Sequence, residues 1–219
     1  MTTAPRARPT LERSLNSLIS AGWTTPRLFA EPHTRLPESS TALAISWRDG
    51  KLGAFPNWYL GLSELFLREP LADAYLICQD DALFAAGSRE YLERTLWPAA
   101  DLGVVSIYTP THWSRNQPRG FHVENRGWAS WGALAYIFPN QSLRALLAHP
   151  LLLLHRRHGA AEGMRNIDSV VGAWCVAAGL PYFVHVPSLV QHIGETSTIW
   201  RGASATGPRR AADFVKLIA

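Results

Sequence analysis

Residues 72–84 read ADAYLICQDDALF, and their reading decides the fold. The stretch Ala74–Cys78 is apolar at every position, as expected of a strand covered on both faces in the middle of a parallel sheet. It stops abruptly at Gln79, Asp80 and Asp81. Burying a carboxylate is costly unless it is paired or holds a metal. In an open α/β sheet, ligands bind beyond the carboxyl ends of the strands, which is where this pair falls. Two adjacent carboxylates facing a crevice require a cation, and hard oxygen ligands suit Mg²⁺ or Mn²⁺. The competing reading gives Asp81 the lesser task of capping a following turn.

The flanking sequence alternates helices with strands. RPTLERSLNSLISAGW predicts a helix with Leu11, Leu15, Leu18 and Ile19 on one face. PRLFAEP and TALAISWR read as short strands, NWYLGLSELFLRE as a helix, SREYLERTLW as a helix and LGVVSIYTP as a strand. Residues 111–127 form a long polar stretch and read as a functional loop. GALAYIFP then predicts a strand, NQSLRALLAH a helix capped by Asn140, RNIDSVVGAWCVAAG a helix, and PYFVHVPSLVQHIG one or two strands. The expected class is α/β: one domain over 1–219, a mostly parallel sheet flanked by helices, and a polar, flexible tail from about residue 200.

Composition narrows the function. The 219 residues, 47% of them hydrophobic, are enough for one sizeable core. Lys and Arg outnumber Asp and Glu by 21 to 17, an excess that suits a small anionic ligand and falls short of a nucleic-acid signature. Cys78 and Cys175 lie in apolar stretches with no metal-binding spacing, so they read as buried thiols of a reducing compartment. No apolar run is long enough for a transmembrane segment, and the expected location is the cytoplasm. Two of the nine tryptophans stand among small residues in GWASWGALAY, an arrangement that offers flat faces to a sugar or base ring.

Other candidates lie downstream of the acidic pair. His192 ends the apolar run PSLVQHIG, ahead of Thr196, Ser197 and Thr198. Asp168 falls in the first turn of a helix, where the helix dipole favours its ionised form. HRRHGAAEGMR reads either as a loop that meets an acceptor or phosphate, or as a solvated loop. His33, His112, His122 and His149 have no metal-site spacing.

Taken in order, RPTLERSLNSL, FAEP, NWYLGL, LICQDDALF, WGALAYIFP, NIDSVVG and PSLVQHIG resemble a GT-A-fold glycosyltransferase. The chain is similar to family 2 enzymes and to the branching N-acetylglucosaminyltransferases, whose acidic motif is a Glu-Asp-Asp form of the DXD motif. That resemblance implies a Rossmann-like nucleotide-diphospho-sugar transferase fold. It makes Asp81 the main metal ligand, with Asp80 in support and His192 completing the shell around Mn²⁺ or Mg²⁺. It implies that Asp168 is the general base of an inverting transfer. Gln79 then faces the donor's ribose, Glu31 the base or ribose, and Thr3 and Arg6 the nucleotide from the loop after the first strand. Asn57 lies where a helix start approaches the diphosphate, and Trp131 and Gly132 border the sugar and acceptor. The implied partners are a nucleotide-sugar donor, a UDP-sugar first among them, and a glycan or other hydroxyl acceptor.

The sequence departs from the family twice. Gln79 stands where relatives carry Asp or Glu. The family's first strand also precedes the loop that TTAPR resembles, so the expectation is a domain lacking that strand or taking it from residues upstream. Two other readings stay open: a nucleotidyltransferase acting on a sugar phosphate, and a non-catalytic relative that binds a nucleotide or glycan. The nucleotidyltransferase would want a glycine-rich phosphate loop, and TTAPRAR has arginines without glycines.

Overall fold

The run expected to be a strand forms β4 (Ala74–Cys78), and its neighbours explain its apolar character. On one side it pairs antiparallel with β8 (Ala135–Pro139). On the other, the strand's continuation at Gln79 makes a parallel bridge to Thr2. The computed structural model describes residues 1–110, 117–127, 130–158, 166–195, 209–211 and 213–216.

Thr2 belongs to β1 (Thr2–Thr3), the strand that the sequence comparison with the family left out. It pairs parallel with β2 (Leu28–Ala30), which pairs parallel with β3 (Ile45–Trp47). The expectation of a missing first strand is therefore corrected. Two residues do its work, and no sequence periodicity can register in so short an element. Its backbone is held at both edges, and the Met1 ammonium donates to the Arg27 carbonyl at 2.7 Å.

Beyond β8 the sheet continues through β6 (Val104–Ser106) and β9 (Tyr182–Val186) to β7 (Gly120–Glu124). Through the Thr2–Gln79 bridge the order is β3-β2-β1-β4-β8-β6-β9-β7, with β7 and β8 running against the other strands. A small antiparallel pair, β5 (Ala82–Phe84) with β10 (Val190–His192), extends past the carboxyl end of β4.

Helices cover both faces. The helix α1 (Leu11–Ser20) buries Leu11, Leu15 and Leu18 on one face of the sheet, where α3 (Ser88–Thr95) adds Leu92. On the other face lie α2 (Ala54–Arg68), α4 (Asn140–Ala148), α5 (Pro150–His158) and α6 (Ile167–Ala178), around the buried rings of Trp58, Phe138 and Trp174. The class is α/β, as expected, with strands β5 and β7 and helix α5 in addition. β7 lies inside the stretch read as loop, because its partly exposed edge position gives it no apolar run to read.

One local expectation is corrected. Asn140 does not cap α4, whose cap position is Pro139; its side chain donates to the carbonyls of Pro70 and Ala72, each at 2.8 Å. The tail is docked at its described residues. The Gln191 side chain bonds both the N–H and the carbonyl of Ala211 at 2.9 Å, and Ala86 N–H donates to the Lys216 carbonyl at 2.9 Å. Among the described residues, no helix is long and apolar enough to cross a membrane.

Candidate active site

At the carboxyl ends of β1 and β4 a cleft of about 990 Å³ opens. All eleven residues singled out from the sequence line it: Thr3, Arg6, Glu31, Asn57, Gln79, Asp80, Asp81, Trp131, Gly132, Asp168 and His192. Their partners assign them different tasks.

Asp80 and Asp81 are both buried, and Arg6 bridges them. One Arg6 Nη lies 2.6 Å from Asp80 and 2.9 Å from Asp81, while its Nε donates to Asp80 at 2.8 Å. The Thr3 hydroxyl donates to Asp80 at 2.6 Å. Asp81 also meets His192 Nε2 at 3.3 Å. Burial works to raise both carboxyls. At Asp81 the hydrogen bond from His192 and the Arg6 charge outweigh it and hold the group below the ordinary range. At Asp80 burial pushes the carboxyl up, against the Arg6 charge.

Asp81 Oδ1 and His192 Nδ1 are buried with no hydrogen-bond partner among the described residues. An orphaned carboxylate oxygen beside an imidazole is a donor set that fits a divalent cation such as Mn²⁺ or Mg²⁺. No group of three or more His, Cys, Asp or Glu side chains able to hold a metal occurs among the described residues. Asp81 and His192 would therefore supply the protein's share, and substrate oxygens the remainder. Gly194 is required at its position, because a Cβ there would press into the Asp81 carboxylate.

Asp168 is held in another way. Asn166 caps α6 by accepting from Ser169 N–H at 2.8 Å, which places Asp168 in the first turn. Its Oδ1 accepts from the amides of Gly132 and Ala133 at 2.5 and 2.6 Å. Its Oδ2 makes no hydrogen bond among the described residues. Burial raises this carboxyl above the ordinary range, and the two amides only partly offset the shift. Gly132 makes the approach feasible, since a Cβ there would collide with the hydroxyls of Ser106 and Tyr182.

Several candidates are tied up structurally. Both Glu31 oxygens accept from Leu52 N–H, at 3.0 and 3.1 Å, and one accepts from Gly53 N–H at 2.8 Å. Glu31 therefore holds the loop that leads into α2. Asn57 donates to the Phe29 carbonyl at 3.0 Å and accepts from Arg48 Nε at 2.8 Å. Gln79 donates to the Ala133 carbonyl at 3.0 Å through its amide nitrogen. Trp131 is 40% exposed at the cleft. Thr196, Ser197, Thr198, Trp128, His112 and the Glu162 segment lie outside the described residues.

The sequence reading missed Tyr108 and Arg209, which also line the cleft, whereas His155, the first residue of the HRRHGAAEGMR stretch read as a loop, lines it from helix α5. His155 packs edge-on against Phe55, with ring centroids 4.1 Å apart. No spacing signal marks Tyr108 or Arg209. Asn166 did carry one, as an Asn directly before an apolar helix.

No family model and no curated protein matches the chain. Among solved structures it is similar to a Bacillus anthracis protein assigned as a glucose-1-phosphate thymidylyltransferase and solved with sucrose, at 11% identity and a TM-score of 0.48, over 84% of this chain and 76% of the other. It is similar to a cytidylyltransferase from Leptospira borgpetersenii at 12% identity and a TM-score of 0.43, over 80% and 64%. It is also similar to a 4-diphosphocytidyl-2C-methyl-D-erythritol synthase at 14% identity and a TM-score of 0.47, over 95% and 93%. All three are nucleotidyltransferases, the alternative enzymatic reading of the sequence, and none is a glycosyltransferase. At 11–14% identity the likeness is one of fold.

Proposed function

We propose that the chain is a metal-assisted transferase that takes a nucleotide-diphospho-sugar and passes the sugar, with inversion, to an acceptor hydroxyl. One observation supports this reading above the others. Asp168, anchored through one oxygen and unpartnered at the other among the described residues, lines the same cleft as the Asp81–His192 pair. When bound, Mn²⁺ or Mg²⁺ would neutralise charge on the departing diphosphate.

The chain's own groups perform the rest. Asp168 Oδ2 accepts the proton of the attacking hydroxyl, and its raised affinity for protons suits it to that task. The amides of Gly132 and Ala133 fix the carboxylate so that it cannot swing away. Trp131 offers a flat apolar wall to a sugar ring. Arg6 keeps the buried acidic pair compensated before substrate arrives.

Nucleotidyl transfer onto a sugar phosphate is the second reading, and Arg6 is the observation that favours it. A cation in the loop after β1 is what a triphosphate substrate requires there, although the loop has no glycines. The non-catalytic reading rested on a missing first strand, and β1 supplies that strand.

The test is calorimetric titration of UDP, GDP and CDP with Mn²⁺ or with EDTA, on wild type and Asp81→Ala, followed by product analysis. Binding that needs both the metal and Asp81, with release of a nucleoside diphosphate, is the expected result. Release of pyrophosphate would move the assignment to nucleotidyl transfer.

A further inference from the structure

The described tail residues return to the mouth of the cleft beside His192. Gln191, the residue before His192 in β10, clamps Ala211 through both its backbone groups at 2.9 Å. The Tyr108 hydroxyl donates to the Arg209 carbonyl, and the Tyr108 ring lies 6.5 Å from that of His192. Farther along, Val215 N–H reaches the Ser188 carbonyl at 3.4 Å and Ala86 N–H the Lys216 carbonyl at 2.9 Å. Arg209 is thereby registered beside the candidate metal ligand by the side chains of Tyr108 and Gln191, which bond the tail backbone at Arg209 and Ala211.

Arg209 lines the cleft, is half-buried, and makes no ion pair among the described residues. The carboxylates of the cleft are anchored by other groups, Asp81 and Asp168 each keeping one oxygen open, and among the described residues none is an ion-pair partner of Arg209. Arg6 and His192 hold Asp81, Arg6 and Thr3 hold Asp80, and backbone amides hold Asp168. A guanidinium without a carboxylate partner in a partly enclosed cleft is suited to bidentate binding of phosphate oxygens.

We infer that Arg209 is a diphosphate-binding residue, carried into the donor site by the docked tail. The inference rests on the reading of this cleft as a site for a phosphorylated donor, and it adds a residue that the acidic motif does not reveal. The diphosphate has two sources: a nucleoside diphosphate, left by glycosyl transfer, and pyrophosphate, left by nucleotidyl transfer.

The experiment titrates UDP, UMP and inorganic pyrophosphate, each with Mn²⁺, into the full chain as wild type, Arg209→Ala and Arg209→Lys. Arg209→Ala is expected to weaken the diphosphate ligands about tenfold or more and UMP about twofold at most, with part of the loss recovered in Arg209→Lys. Dependence on Arg209 with UDP identifies the nucleoside diphosphate as the ligand. The same dependence with pyrophosphate, in a protein that ignores UDP, supports the inference while the glycosyltransferase reading fails. Wild-type binding of UDP that Arg209→Ala leaves intact, or weakens equally with UMP, overturns the inference and leaves the donor site standing. No binding of either diphosphate by wild type also overturns it.

Discussion

Asp81 and Asp168 line one cleft but are held by different partners. Asp81 is surrounded by charge, with the Arg6 guanidinium at 2.9 Å and His192 at 3.3 Å, and its carboxyl is held below the ordinary range. Asp168 is held by neutral amides at 2.5 and 2.6 Å, and burial keeps its carboxyl above that range. Cations favour a carboxylate's charged form strongly, whereas amide dipoles offset only part of the desolvation cost. One cleft thus contains a carboxylate that keeps its charge, suited to a cation, and another that readily accepts a proton. Each variant below breaks one side of that contrast.

The largest effect is expected from Asp168→Asn, which keeps an oxygen for the two amides but cannot take a proton. Transfer should fall about a thousandfold, with nucleotide affinity unchanged. Wild-type activity should decline on acidification at a pH above the ordinary aspartate range. Stability should move the other way. The folded state binds the Asp168 proton more tightly than the unfolded chain, so ionisation costs stability as the pH rises. Asp168→Asn should therefore be the more stable protein at neutral pH, with an advantage that fades as the pH drops. Urea melts across pH would show this, and a pH-independent difference would remove Asp168 from the role of proton acceptor.

Next is Arg6→Met, which leaves two buried carboxylates facing each other without their cation. A loss of about 3 kcal/mol is expected, read from denaturation midpoints, and added Mn²⁺ should restore part of it by binding the Asp81–His192 side. A loss no greater than that of an exposed ion pair would show that burial does not bind the three charges together.

Gly132→Ala should cost about 1–3 kcal/mol, because the new methyl group meets the hydroxyls of Ser106 and Tyr182. It should also lower turnover more than nucleotide affinity, since it displaces the amides that anchor Asp168. The smallest effect belongs to Asn166→Ala, about 1 kcal/mol through loss of the α6 cap. Its signature would be a shift in the acid limb of the activity profile. A pure stability loss would mean that the cap does not position Asp168.

How far the sequence could be read differs between elements. The periodicity of α1, the apolar run of β4 and the patterning of α6 are local properties of consecutive residues, and each is found where the sequence places it. The acidic pair was legible because two carboxylates at the end of an apolar strand contradict their surroundings. The two-residue β1, the partly exposed β7 and the short β5 carry too little local pattern to stand out.

By itself the sequence determined the alternation of helix and strand and the residue types gathered at the strand ends, because both follow from short-range periodicity and the cost of burying charge. Only the tertiary structure decided which partner each site residue has. Arg6 reaches Asp80 across 74 positions, Gly132 reaches Asp168 across 36, and Gln191 holds Ala211 across 20. Such pairings are set by how segments distant in the chain pack around a common sheet, and no window of neighbouring residues contains them. The same pairings decide which carboxylate stays charged and which is poised to take a proton.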